Sequence, residues 1–276
     1  MGVEIDSTRR AEVIELVRKW LVGGRGRADP KFIITAYSES ILEAQENPEF
    51  KQSLARADLV VPDGVSVAAA VSYIRRFKEL VGNKFLGGLS LGLKVGWEIL
   101  SGRYITETVV GVDLMKDLIK EAGERGLKIM LVGGWNGVAL QASKKLEGQI
   151  PNLKVVAYEG PIDARNIKSS EENQLVAKIN DYRPDLLFVS FGRFRQEVWI
   201  ASHLDTIKAG VVMGVGSAFD EVARVNGWRD VPVWVRRMGL KWLWRVFQDP
   251  KHIKRAWRAF PVFPWKVFLN CLQTDQ

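Results

Sequence analysis

The residues with chemistry to offer stand at the ends of short apolar runs, and the stretch Ala57-Asp-Leu-Val-Val-Pro-Asp-Gly64 organises the rest. Leu59, Val60 and Val61 form a run short enough for a buried strand. Pro62 has no N–H to donate and should end the ladder. Asp63 then sits at the strand's end, and Gly64 frees the backbone to turn into the next helix. In an open parallel α/β sheet, ligands bind at the carboxyl ends of the strands. A carboxylate delivered there can take a proton from a hydroxyl, so Asp63 is a candidate general base. The same position also suits an ordinary turn or N-cap aspartate.

Three other apolar runs end in glycine turns: Val132-Gly133-Gly134, Phe191-Gly192 and Gly214-Val215-Gly216. Glycines there let a backbone approach a phosphate, and the following helix offers free N–H groups. That suits a nucleotide diphosphate, although each turn taken singly is also an ordinary glycine turn. None has the full GxGxxG or Walker A spacing, which argues against a dinucleotide cofactor or ATP. Gly88-Leu-Ser-Leu-Gly92 matches the hydrolase G-x-S-x-G elbow, but no strand precedes it, and Ser90 is rejected as a nucleophile. His203, His252 and the lone Cys271 cannot make a Cys/His metal cluster.

The elements that must position these residues alternate. A first helix capped by Asp6 or Ser7 runs to about Val22, a strand covers Lys31–Thr35, and helices follow to Arg56. After the strand at Leu59, a helix runs to about Phe77. Further strands fall at Lys128–Val132, Leu153–Tyr158, Leu186–Ser190 and Ala209–Met213. Helices lie between them, with a polar loop over Arg193–Glu197. This alternation predicts an α/β fold, a Rossmann-like parallel sheet flanked by helices. Residues 78–106 interrupt it with scattered leucines and glycines, read as a packed helical excursion, an oligomer contact or a membrane-touching loop.

With 276 residues, 47% of them hydrophobic, the chain can build one large core and an appendage. We divide it into residues 1–232 and a C-terminal appendage, 233–276. A single cysteine fits a reducing compartment. No N-terminal apolar leader and no run long enough to span a bilayer are evident, so a cytoplasmic location is expected. The net charge of +8 is concentrated late: from Arg236 onward nine basic residues face two acidic ones, and six of the ten tryptophans fall at or after Trp228. Arg237, Lys241 and Arg245 recur on one helical stripe. Lys251, Lys254, Arg255 and Arg258 follow on a second helix that Pro261 and Pro264 should stop. A basic, Trp-rich end suits a membrane surface. Nucleic acid is disfavoured, because no recognition motif appears and the core is not basic. A non-catalytic membrane-surface protein using this tail is the alternative reading.

In combination, Ala57–Gly64, Gly111-Val-Asp-Leu114, Leu131-Val-Gly-Gly134, Phe191-Gly-Arg-Phe-Arg-Gln-Glu-Val-Trp199, Gly214-Val-Gly-Ser-Ala-Phe-Asp220 and Gly239-Leu-Lys-Trp-Leu-Trp-Arg245 resemble the WecG/TagA/CpsF glycosyltransferase family. The resemblance implies transfer of an N-acetylmannosamine-type sugar from a UDP-sugar to a polyprenyl-diphosphate-linked N-acetylglucosamine. The reaction would invert the anomeric centre, without a bound metal or cofactor, on the inner face of the membrane in cell-surface polysaccharide or teichoic acid synthesis. It implies Asp63 as general base, and substrate contacts from Thr35, Tyr37, Asp113, Gly133, Gly134, Gln196 and Asp220. Arg245 and Arg255 would reach in from the appendage to neutralise the leaving UDP. A homo-oligomer is compatible with it. Three positions depart from the family's usual pattern: Tyr37 replaces an asparagine, Thr108 an arginine and Phe194 a proline.

Overall fold

The computed structural model describes residues 1–22, 29–160, 169–225, 232, 235, 244, 246, 253 and 257–274. Its strands are β1 (Lys31–Ala36), β2 (Leu59–Pro62), β3 (Lys128–Gly133), β4 (Lys154–Tyr158), β5 (Leu186–Ser190) and β6 (Val211–Gly214). They form one sheet in the order β2-β1-β6-β5-β3-β4, and every pairing is parallel. The described helices are α1 (Arg10–Val22), α2 (Ser38–Glu46), α3 (Pro48–Ala55), α4 (Val65–Lys78), α5 (Lys84–Leu100) and α6 (Gly111–Arg125). They continue with α7 (Val138–Gln149), α8 (Ser169–Tyr182), α9 (Arg195–His203), α10 (Ala218–Ala223) and α11 (Phe263–Thr274). The α/β fold expected from the alternation is the one observed.

Parallel strands need crossover helices, so both faces of the sheet are covered and the strands read as unbroken apolar runs. Ile33, Val61, Leu131, Phe188 and Met213 point into a core shared with α1, α6, α7 and α10. Their neighbours Phe32, Val60, Met130, Leu187 and Val212 point to the opposite face, against α3, α8 and α9. A third cluster beyond the β2 edge joins α2, α4, α5 and α11 around Tyr73, Phe77 and Phe268.

Carboxylates fix where strands begin. Asp58 Oδ2 accepts the Phe32 N–H at 2.9 Å, and Asp185 Oδ2 accepts the Lys128 N–H at 2.8 Å. Asp6 does not cap α1. Its Oδ2 accepts the Val60 N–H, and its own N–H donates to the Val60 carbonyl, both at 2.8 Å. The β2 edge would otherwise expose those ladder groups, so Asp6 covers it and α1 starts later, at Arg10. Pro62 is tolerated as the last β2 residue because β2 is an edge strand, and it pairs with Ala36.

The excursion at 78–106 is helical. Asn83 caps α5 by accepting the Phe85 and Leu86 N–H groups, each at 3.1 Å. Ser90 lies exposed within this helix rather than on a strand-to-helix turn. Gly88 explains the glycine pattern instead. A Cβ there would lie 2.6 Å from the Phe77 ring and 2.7 Å from the Phe268 ring, and its carbonyl accepts the Tyr73 hydroxyl at 3.1 Å. Glu98 turns inward, accepting the Tyr104 hydroxyl at 2.6 Å and pairing with Arg76 at 2.8 Å and Arg103 at 3.1 Å. The Tyr104 hydrogen bond, with the arginines, holds its carboxyl below the ordinary carboxylate range.

At the C-terminus, Pro261 and Pro264 do not stop the helix. A single π turn, Arg258–Val262, takes in Pro261, and Pro264 is the second residue of α11, which follows that turn directly. The basic stripe of Arg237, Lys241 and Arg245, and Lys251, Lys254 and Arg255 with it, lie outside the described residues. Among the described residues no helix is long and apolar enough to cross a membrane.

Gly133 ends β3 at φ +102°, and a side chain there would collide with the Ser190 carbonyl of β5. We therefore expect Gly133→Ala to lose about 3 kcal/mol or more through clash and backbone strain. Urea unfolding measures this. A loss under about 1 kcal/mol would contradict so close an approach of the two strand ends.

Candidate active site

β1 and β2 run in register, with Thr35 opposite Val61 and Ala36 opposite Pro62. Thr35 therefore ends up beside Asp63, the first residue past β2, whose N–H donates to the Ala36 carbonyl at 2.8 Å. The chain returning from α5 docks here as well. The Val109 N–H donates to the Pro62 carbonyl at 2.8 Å, and Gly111, the first residue of α6, donates its N–H to Asp63 Oδ2 at 3.3 Å. The positive end of α6 is thus aimed at the carboxylate. A Cβ on Gly111 would lie 2.8 Å from Thr35 Oγ1 and 3.4 Å from Asp63 Oδ2. Only glycine lets the Thr35 hydroxyl and the start of α6 come so close beside the carboxylate.

These groups line a cavity of about 950 Å³ at the carboxyl ends of β2, β1, β6 and β5. Its size suits a sugar nucleotide. Thr35, Tyr37, Asp63, Asp113 and Gln196 all contribute to its wall. Gly133, Gly134 and Asp220 do not. The two glycines instead close β3 against β5, with the Gly134 N–H donating to the Ser190 carbonyl at 2.9 Å. Asp220 lies in the short helix α10, whose Glu221 reaches the wall and pairs with Lys116 at 2.7 Å. Arg245 and Arg255 fall outside the described residues. Ala259 and Phe260 of the π turn do border the cavity, so the appendage contributes to the site.

The expected polar loop over Arg193–Glu197 holds for Arg193 and Phe194, which form a turn, while Arg195, Gln196 and Glu197 are already the first turn of α9. Val198, Trp199, Ile200 and Ala201 supply its apolar side, and the turn is reached through Phe194 at φ +67°. Placing a non-glycine residue in this conformation is uncommon and is concentrated at functional sites. The Phe194 ring stacks on Tyr37 with centroids 6.0 Å apart, and meets Phe50 edge-on at 5.0 Å. Two of the three departures noted above therefore touch each other, and the third, Thr108, is also in the wall.

Gln196 is buried and anchored. Its Oε1 accepts the Gly216 N–H at 3.0 Å and its Nε2 donates to Glu197 Oε1 at 2.8 Å. Gly214 is obligatory beneath it, since a Cβ there would lie 2.7 Å from Gln196 Nε2. Sequence reasoning did not single out three charged residues of this wall. Arg193 and the buried Glu39 form an ion pair across it at 2.9 Å. Glu197 is buried with no hydrogen-bond partner for Oε2. The one signal was the Gln-Glu doublet at the start of an otherwise apolar stretch.

Burial pushes the Glu197 carboxyl up to about 7 from an ordinary 4.5, with partial relief from the Gln196 hydrogen bond. Between those two values the folded chain keeps a proton that the unfolded chain has lost. Stability from this group is therefore full below the unfolded value and falls as pH rises through the folded one, by on the order of 3 kcal/mol. Glu197→Gln, neutral at every pH, should lack this loss. Urea unfolding of both proteins from pH 4 to 8 tests it, and parallel curves would show that Glu197 is not held neutral.

A model of the Glycosyl transferase WecG/TagA/CpsF family matches residues 1–83 and 88–276, its one gap falling in the first turn of α5. Two similar proteins come from Staphylococcus aureus, strains MW2 and NCTC 8325 / PS 47. Each is an N-acetylglucosaminyldiphosphoundecaprenol N-acetyl-beta-D-mannosaminyltransferase. Both are 25% identical to this chain over 267 residues, which is 97% of this chain and 90% of theirs.

Proposed function

The chain belongs to the WecG/TagA/CpsF family of glycosyltransferases, and we propose that it moves an N-acetylmannosamine-type sugar from UDP to a polyprenyl-diphosphate-linked N-acetylglucosamine. The observation that carries this reading is the meeting of Thr35, Asp63 and the first N–H of α6 at the wall of one nucleotide-sized cavity. The names of the staphylococcal relatives, which include a diphosphoundecaprenol-linked acceptor, support the acceptor class.

In this reading Asp63 is the general base. As the acceptor hydroxyl loses its proton to the carboxylate, its oxygen forms the new bond to the anomeric carbon. The bond from that carbon to the UDP oxygen breaks on the opposite face, and its electron pair leaves with UDP. One displacement inverts the centre. Thr35 and Tyr37 orient the acceptor sugar, and Asp113 contacts substrate beside them. Gln196 and the Gly214–Gly216 turn support the sugar diphosphate. The charge on the departing diphosphate is met by cations of the chain rather than by a metal: Arg9, Arg10 and Arg193 at the wall, joined by Arg245 and Arg255. The enzyme works at the cytoplasmic face of the membrane, where the lipid-linked acceptor presents its sugar.

Asp63→Asn should keep the fold and lower UDP release by about 10³-fold or more in an assay with a lipid-diphosphate acceptor and a panel of UDP-sugars. Unchanged release would remove Asp63 from the chemistry. Absence of turnover in the wild-type chain, with vesicle binding intact, would favour the non-catalytic alternative. Gly111→Ala should cost about 1–3 kcal/mol of stability by overpacking. It should cut turnover by about 10²-fold, because its methyl must displace the Thr35 hydroxyl that stands beside Asp63. Full turnover in that variant would mean that the position of the Thr35 hydroxyl against α6 does not matter to the reaction.

A further inference from the structure

We propose that α5 is a docking helix that lies in the surface of an anionic lipid bilayer and turns the cavity mouth toward it. This rests on the lipid-linked acceptor proposed above. The inner side of α5 is spent on packing: Gly88, Leu91, Val95 and Glu98 are buried. Its outer side is apolar rather than polar. Leu86, Leu93, Trp97 and Leu100 are 63%, 80%, 73% and 60% exposed, with Phe85 and Leu89 beside them. The spacing of three and four residues makes one stripe, about 22 Å long at the helical rise. It continues onto α11, where Phe85 meets buried Phe268 at 5.6 Å and Phe268 meets half-exposed Trp265 at 5.4 Å.

A contiguous apolar face of this length on a described surface calls for an occupant, and charge selects it. From Arg75 to Arg103 there are six cations and two acids. One acid, Glu98, is turned inward and held between Arg76 and Arg103. Two copies facing through this stripe would bring cationic borders together with little acid to oppose them. An anionic lipid surface takes both parts, apolar stripe in the acyl boundary and lysines and arginines among headgroups. At 17 residues with Lys94 and Glu98 within it, α5 suits lying in the interface rather than crossing. The chain then leaves α5 directly into the wall of the cavity, which Ile105, Thr106 and Thr108 line. Phe260, just before α11, borders the same mouth. A bilayer held by α5 and α11 therefore lies where a lipid-borne sugar must enter.

The test is co-sedimentation of the full chain with vesicles of phosphatidylcholine plus phosphatidylglycerol, against phosphatidylcholine alone. The wild-type chain is compared with Leu93→Glu/Trp97→Glu. We expect the wild-type chain to bind the anionic vesicles and the double variant to partition at least about tenfold less. Its Tm should stay within about 2 °C, and turnover with a short-chain, water-soluble acceptor should be kept. Equal vesicle binding by the variant, or none by the wild-type chain, overturns the proposal. So does a wild-type dimer that the variant splits, which makes a second copy the occupant, or a large fall in Tm, which means the stripe packs inside the molecule. Should no acceptor be glycosylated by either protein while the vesicle difference holds, the catalytic reading fails and the docking surface stands.

Discussion

A sheet whose strands all run the same way must gather every carboxyl end on one rim, and that constraint makes the site. β2, β1, β6 and β5 deliver their terminal residues side by side, and the cavity opens over them. Two backbone bonds finish the arrangement: Val109 to the Pro62 carbonyl, and Gly111 to the Asp63 carboxylate. They pull the start of α6 down onto the end of β2. The second bond fixes the direction in which the carboxylate faces the cavity.

What the sequence discloses follows from how strongly each feature depends on local pattern. Strands buried on both faces leave unbroken apolar runs, so Leu186–Ser190 and Lys128–Val132 were legible almost to the residue. Asp63 was legible because Pro62 and Gly64 bracket it. Features set by distant partners were not. Asp6 looks like a helix cap in one dimension, and only the exposed edge of β2 reveals that its carboxylate is needed elsewhere. The start of α9 was hidden because Gln196 and Glu197 look solvent-facing, whereas the fold buries both under the end of β6. Pro261 signals a stop unless the helix widens locally to absorb it, as the π turn does.

The residues of the candidate site stand out in the motifs, its pairings much less so. Thr35, Asp63 and Gln196 converge, but the glycine that makes room beside Thr35 is Gly111, which the sequence marks as the start of a motif without showing what its missing side chain is for. The Glu39–Arg193 ion pair spans 154 positions, beyond any local signal. The Tyr37–Phe194 stack shows how two departures from a familiar pattern can be one change: a larger ring on one loop is accommodated by a ring on the other. Tyr37 lines the cavity, so the candidate pocket is shaped next to a position where backbone strain at Phe194 is already stored.

Gly88 has an effect beyond packing. With the Phe77 and Phe268 rings pressed to its α-carbon and the Tyr73 hydroxyl bonded to its carbonyl, α5 cannot roll about its long axis without driving backbone into aromatic carbon. The azimuth of Leu93 and Trp97 is thereby inherited from the interior. Anything that docks on that face meets it at an angle decided by a missing methyl group on the opposite side of the helix.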